Sequence, residues 1–239
     1  MDYTVFWLTI GICLGFFVQT VTGFAGALIA LPVLLFVMPL PDAIGYLSIF
    51  YMISTPFHVY KEWPLINKQL LKQLFISSFL GLLIGILVLA YGQPVFLKKA
   101  LGIFILLFVL NSLRSASEIK VLTKMKFFFG FLGGFFSGVF STGGPLYLII
   151  IKNQTPDVKV VRATMFGVLG LITLMRIPVL AFEGILTWQQ CYNALYVLPF
   201  FVLALFLGKK VYSFINEAML KNSMLFLLCV SGVLLLIKN

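Results

Sequence analysis

From Tyr3 to Pro41 the chain carries no charged residue, yet this run is too long to be one ordinary membrane helix. Drawn as a single α-helix it would reach about 58 Å, at 1.5 Å per residue. That is nearly twice the roughly 30 Å hydrocarbon core of a bilayer. Its middle holds Thr20-Val21-Thr22-Gly23-Phe24-Ala25-Gly26, with Pro32 beyond. A break near Thr22–Gly26 resolves the excess length. A second interruption, Phe140-Ser141-Thr142-Gly143-Gly144-Pro145, sits in another apolar run. Broken backbone at membrane depth survives only against protein or a watery cavity, because lipid cannot satisfy its N–H and C=O groups.

Composition supports the bilayer as solvent. Of 239 residues, 62% are hydrophobic and 10% charged, far below the quarter or so charged in a soluble domain. Uncharged runs bounded by charge or proline fall at 4–38, 43–60, 73–92, 95–113, 127–151, 160–182, 186–208 and 220–237. They are continuously apolar and do not alternate, which argues for helices and against a membrane barrel. The expectation is an all-α, polytopic transmembrane bundle of about eight spans. The N-terminus lacks the basic region of a secretory leader, so cleavage is not expected.

The two interruptions resemble each other. Gly15-Phe16-Phe17 precedes Thr22-Gly23 much as Gly134-Phe135-Phe136 precedes Ser141-Thr142-Gly143, and Pro-Asp pairs follow at Pro41-Asp42 and Pro156-Asp157. The chain therefore reads as two four-helix repeats, 1–114 and 127–239, joined by a charged linker at 115–126. Internal repetition is common in secondary transporters. An even number of spans makes the repeats parallel; a re-entrant hairpin at the breaks makes them inverted. Eight crossings put Lys61, Lys68, Lys72, Arg114, Lys120, Lys124, Lys126 and Lys238 at one end. Lys98, Lys99, Lys152, Lys159, Arg162, Lys209, Lys210 and Lys221 fall at the other. That tie leaves orientation open.

The breaks also carry the candidate chemistry. A helix start offers unpaired N–H groups and the positive end of the helix dipole. Thr142 is the expected N-cap of the second break, Gly143 and Gly144 allow close approach, and Pro145 fits a first helical turn. Ser141, Thr22 and Gly23 complete the pair of tips. Two such starts converging near the midplane would bind an anion; the competing account is small-residue helix packing, to which Gly81 and Gly85 are assigned. Arg176 lies deep in the sixth run, where a cation is costly and needs a partner or a hydrated cavity; Glu183 is the candidate partner. Arg162 and His58 are secondary candidates, each with an interfacial, structural alternative. Asp42 and Asp157 read as helix caps.

No nucleotide-binding loop, zinc-ligand spacing or catalytic set is legible, so neither an enzyme nor a metal or other cofactor is expected. Cys13, Cys191 and Cys229 make no disulfide framework. The net charge of +10 sits on lysines flanking the apolar runs, where they meet lipid headgroups instead of nucleic acid.

The segment Val18-Gln19-Thr20-Val21-Thr22-Gly23-Phe24-Ala25-Gly26-Ala27-Leu28-Ile29-Ala30-Leu31-Pro32 is similar to the first-repeat signature of the sulfite exporter TauE/SafE family. Gly138-Val139-Phe140-Ser141-Thr142-Gly143-Gly144-Pro145 resembles its second, and Arg162-Ala163-Thr164 falls where the family often has such a triplet. Phe24 and Ala25 depart from the glycine-rich form. The resemblance implies a multi-pass bacterial inner-membrane transporter for sulfite, an organosulfonate or a related sulfur oxyanion. A coupling proton or sodium ion and a homodimer are its candidate partners, and Gln19 joins the candidate substrate residues. Against this stand a gated anion channel and a non-transporting assembly subunit.

Overall fold

A computed structural model describes residues 3–113, 125–212, 214 and 217–237, and every regular element in it is helical. Most of the charged linker at 115–126 lies outside the described residues; its last two, Met125 and Lys126, open a helix. In chain order the helices are α1 (Tyr3–Thr22), α2 (Gly26–Leu34), α3 (Leu40–Glu62), α4 (Lys68–Tyr91), α5 (Pro94–Leu113), α6 (Met125–Phe140), α7 (Gly144–Lys152), α8 (Val158–Phe182), α9 (Trp188–Tyr212) and α10 (Glu217–Ile237). A single 3-10 turn, Trp63–Leu65, joins α3 to α4.

Among the described residues, α1, α4, α8 and α9 are long and apolar enough to cross a membrane. The expected eight spans are therefore met only in part. α3 brings Asp42, Lys61 and Glu62 into its ends. α2 and α7, at nine residues each, reach only about 14 Å, half a hydrocarbon core.

Both breaks occur, and both are sharper than a kink. α2 folds back along α1: a Cβ built on Gly15 would lie 2.7 Å from Ala30 Cβ, and one on Gly11 would lie 2.9 Å from the Leu34 side chain. Residues ascending α2 thus meet residues descending α1. The second pair behaves alike, since Tyr147 of α7 packs on Gly133 of α6 and its hydroxyl points at the Gly130 carbonyl, 3.5 Å away. Gly23 turns the first tip with φ +90°, a conformation that costs glycine little and other residues more. At the second tip Ser141 takes φ 57°, an uncommon position for a residue with a side chain.

Glycine also sets the closest helix contact. Gly81 and Gly85 of α4 face the α6 backbone, and Gly134 and Gly138 face α4 in return. With no Cβ the two backbones approach directly, the packing mode small residues permit in lipid. α1 packs on α9, α3 on α8 and α5 on α10.

The ends of the bundle are defined by contacts between them. Arg162, at the start of α8, meets Glu62, at the end of α3. Asn67, just before α4, donates its N–H to Thr164 Oγ1 at 3.1 Å. Lys61 and Lys209 are close neighbours. Eight simple crossings had placed these cations at opposite ends; the hairpins reverse the direction of the chain and bring them together. Asp157 caps α8 as expected, accepting from the N–H of Lys159 at 2.8 Å. Asp42 does not cap: α3 starts two residues earlier, and its carboxylate instead accepts from Gln190 Nε2 at 3.4 Å.

Candidate functional site

The two hairpin tips touch. A Cβ on Gly144 would lie 3.0 Å from Phe24 Cβ, so the start of α7 abuts the first turn. Beside them Arg176 is buried, 2% exposed. Its Nη1 donates to the Ser137 carbonyl at 3.4 Å and closely to Ser141 Oγ. The guanidinium carbon lies 5.3 Å from the centre of the Tyr51 ring. Among the described residues it has no carboxylate partner, and its Nε is buried without an acceptor. Glu183 is not its partner: that half-buried carboxylate stands just past the C-terminal end of α8 and accepts from Tyr91 Oη at 3.4 Å. Seven residues place the two on similar faces of α8 but about 10 Å apart along it.

The tips differ in what they have to offer. At the first, Thr22 Oγ1 accepts from the N–H groups of Phe24 and Ala25 at 3.4 and 3.3 Å. Tyr51 Oη accepts from the Ala27 N–H at 3.2 Å. Side chains thereby take up the Phe24, Ala25 and Ala27 amides around the start of α2. Gln19 packs on Gly26 with its Oε1 buried and unpaired. At the second tip the N-cap is Gly143, without a side-chain bond. Thr142, expected as that cap, instead buries its Oγ1 with no partner. Each such orphan costs about 1–3 kcal/mol, and four of them, at Gln19, Thr142, Arg162 and Arg176, lie at the two tips or on the helix beside them. At the start of α7 Leu146 and Tyr147 donate to the Gly143 carbonyl and Pro145 has no N–H, which leaves the Gly143 and Gly144 amides. These, the Thr142 hydroxyl and the guanidinium together match an oxyanion, which accepts hydrogen bonds and carries negative charge.

Arg162 lies against the first tip, on the side toward the end of the bundle, and His58 beside it. Arg162 Nη1 pairs with Glu62 at 2.9 Å and Nη2 donates to the Thr20 carbonyl at 2.7 Å. Its guanidinium also sits 4.1 Å from the Tyr212 ring centre, and its Cγ would lie 3.2 Å from a Cβ on Gly23. It clamps the first tip instead of snorkelling. His58 is buried and stacks on Phe166, with ring centroids 4.3 Å apart.

Two contributors escape a sequence reading, Tyr51 and Glu62. Tyrosine belongs at membrane interfaces, so one midway along the 43–60 run was the available signal for the first. For Glu62 there was none, because its partner is 100 residues away.

Neither the curated proteins nor the solved structures give a match to this chain. A family model does, and it spans residues 7–235, taking in both hairpins, Arg162 and Arg176. The chain belongs to the sulfite exporter TauE/SafE family and is an integral membrane protein of that transporter class.

Proposed function

We propose that the chain exports a small sulfur oxyanion, sulfite or an organosulfonate, across a bacterial inner membrane, binding it between the hairpin tips. Arg176 supplies the charge, and Ser141, Thr142, Gly143 and Gly144 supply donors. Pro145 holds the first turn of α7, while Gln19, Thr22 and Gly23 form the first tip, on the Arg162 side of the site. The observation that carries this reading is a buried arginine with no acid beside it among the described residues, held by Ser141, whose neighbour Thr142 buries a hydroxyl without a partner. Purified protein in liposomes is expected to move labelled sulfite saturably, ahead of sulfate. Absence of any anion-specific flux under every imposed proton gradient would defeat it. Burial of the site on all sides favours a carrier that opens alternately over a pore.

Re-entrant tips give each half an odd number of passes, which supports inverted repeats. In keeping with this, α1 lies along α9 as α6 lies along α4, while α3 pairs with α8 and α5 with α10. Among the described residues, the Arg162 end then gathers Lys61, Lys68, Lys72, Lys126, Lys152, Lys159, Lys209, Lys210 and Lys221; the other end has Lys98 and Lys99. The positive-inside rule puts the Arg162 end in the cytoplasm. With the native cysteines replaced, Lys98→Cys is expected to react with an impermeant maleimide in intact spheroplasts. Lys152→Cys should react only in inverted vesicles. The opposite pattern would overturn the assignment.

A further inference from the structure

Along its length α3 turns a row of polar residues toward α8 at spacings of three and four: Tyr51, Ser54 with Thr55, His58 and Glu62. Such spacing keeps them on one face of the helix. The facing row on α8 is Arg176, Gly170, Phe166 and Arg162. The two rows meet in register: Tyr51 against Arg176, Thr55 against Gly170, His58 stacked on Phe166, Glu62 paired with Arg162. The seam therefore runs from Arg176 to the basic end of the bundle, about 21 Å along α8.

Its middle is unsatisfied. Ser54 Oγ, Thr55 Oγ1 and His58 Nε2 are buried without any hydrogen-bond partner. A helical hydroxyl at such depth ordinarily turns back to the carbonyl four residues earlier, as Ser48 and Thr173 do at 2.6 and 2.7 Å. Ser54 and Thr55 do not. If the seam served only to pack helices, alanine or leucine would do the same with nothing orphaned, and a phenylalanine at 58 would stack on Phe166 equally well. Polar side chains kept at three adjoining places in an apolar interface point to a ligand that visits them.

We propose that this seam is the hydrated conduit by which the anion passes between Arg176 and the basic end, with the Arg162–Glu62 ion pair as its gate. The two hydroxyls and the imidazole N–H donate to the passing oxyanion. On reaching Arg162 the anion competes with Glu62 for the guanidinium, which releases α3 from α8 and frees the Thr20 carbonyl that Arg162 holds. The proposal rests on the anion-carrier reading above, and its test needs no knowledge of the substrate.

The full chain, with Cys13, Cys191 and Cys229 replaced by serine, is given single cysteines at Ser54, Thr55 or His58. It is exposed in membranes to an anionic methanethiosulfonate. Each is expected to react about tenfold faster than Leu47→Cys, a buried position on the same helix. Adding Glu62→Gln should raise the three rates by a further fivefold or so, leaving Leu47→Cys unchanged. Rates equal to Leu47→Cys in both backgrounds would overturn the conduit. The unmodified sequence gives a second readout, since His58 is its only histidine: deuterium exchange at Cε1, followed by mass spectrometry, is expected to speed up in Glu62→Gln. Equal protection with and without Glu62 counts against the gate. Labelled seam cysteines in a chain that binds no sulfite would keep the conduit and remove the proposed substrate; sulfite binding without seam labelling would do the reverse.

Discussion

Arg176→Gln is expected to weaken sulfite binding by about a hundredfold, on the order of 3 kcal/mol, since truncating a buried charged partner costs roughly 2–5 kcal/mol. Arg176→Lys should recover part of this loss, because the ammonium keeps the charge while giving up the planar fork. Stability is expected to move the other way. A guanidinium with one orphaned nitrogen and no carboxylate is a burden on the empty protein, so Arg176→Gln should melt at or above the parent temperature. Binding by calorimetry and melting by intrinsic fluorescence, measured on the same samples, separate the alternatives. A variant that melts early yet binds sulfite normally would make Arg176 a strut between α6 and α8, and the pocket would lose its charge.

Gly134→Leu is expected to damage the fold itself. A Cβ there would come within 2.8 Å of the Ser78 backbone, and backbone has no rotamer through which to yield. Overpacking a filled interface costs about 1–3 kcal/mol, and a leucine at a backbone-to-backbone contact belongs at the upper limit. The damage should reach function too, because Ser137 near the end of α6 and Ser141 just beyond it hold Arg176. The same substitution at Gly81, across the seam, should behave alike. A Gly134→Leu protein with unchanged thermal stability in detergent would mean that α4 and α6 do not meet this way.

The features legible in the residues alone are those that depend on local sequence. Continuous apolar runs dictate helices in lipid. A charge-free stretch too long for the bilayer dictates a break, and Gly23 and Gly143-Gly144-Pro145 mark where the breaks fall. The depth of Arg176 follows from its distance to the ends of its own helix. Packing at Gly81 and Gly85 was legible for the same reason, since small residues four apart form a groove on any helix.

Direction and partnership were not legible. Whether a chain kinks or doubles back at Gly23 depends on whether Gly15 and Ala30 can pack, a contact between segments and not a property of either. That one choice reverses the polarity of the later helices and moves Arg162 beside Glu62 and Lys209 beside Lys61. The tips likewise look equivalent as sequence; only the fold brings the Tyr51 and Thr22 side chains onto amides of the first and leaves the second without a side-chain cap. The sequence by itself determined a helical membrane bundle with two interruptions and a buried cation. The tertiary structure alone decided which helix ends meet and which interruption faces Arg176, because hydrogen-bond partners and close backbone contacts are set between residues far apart in the chain.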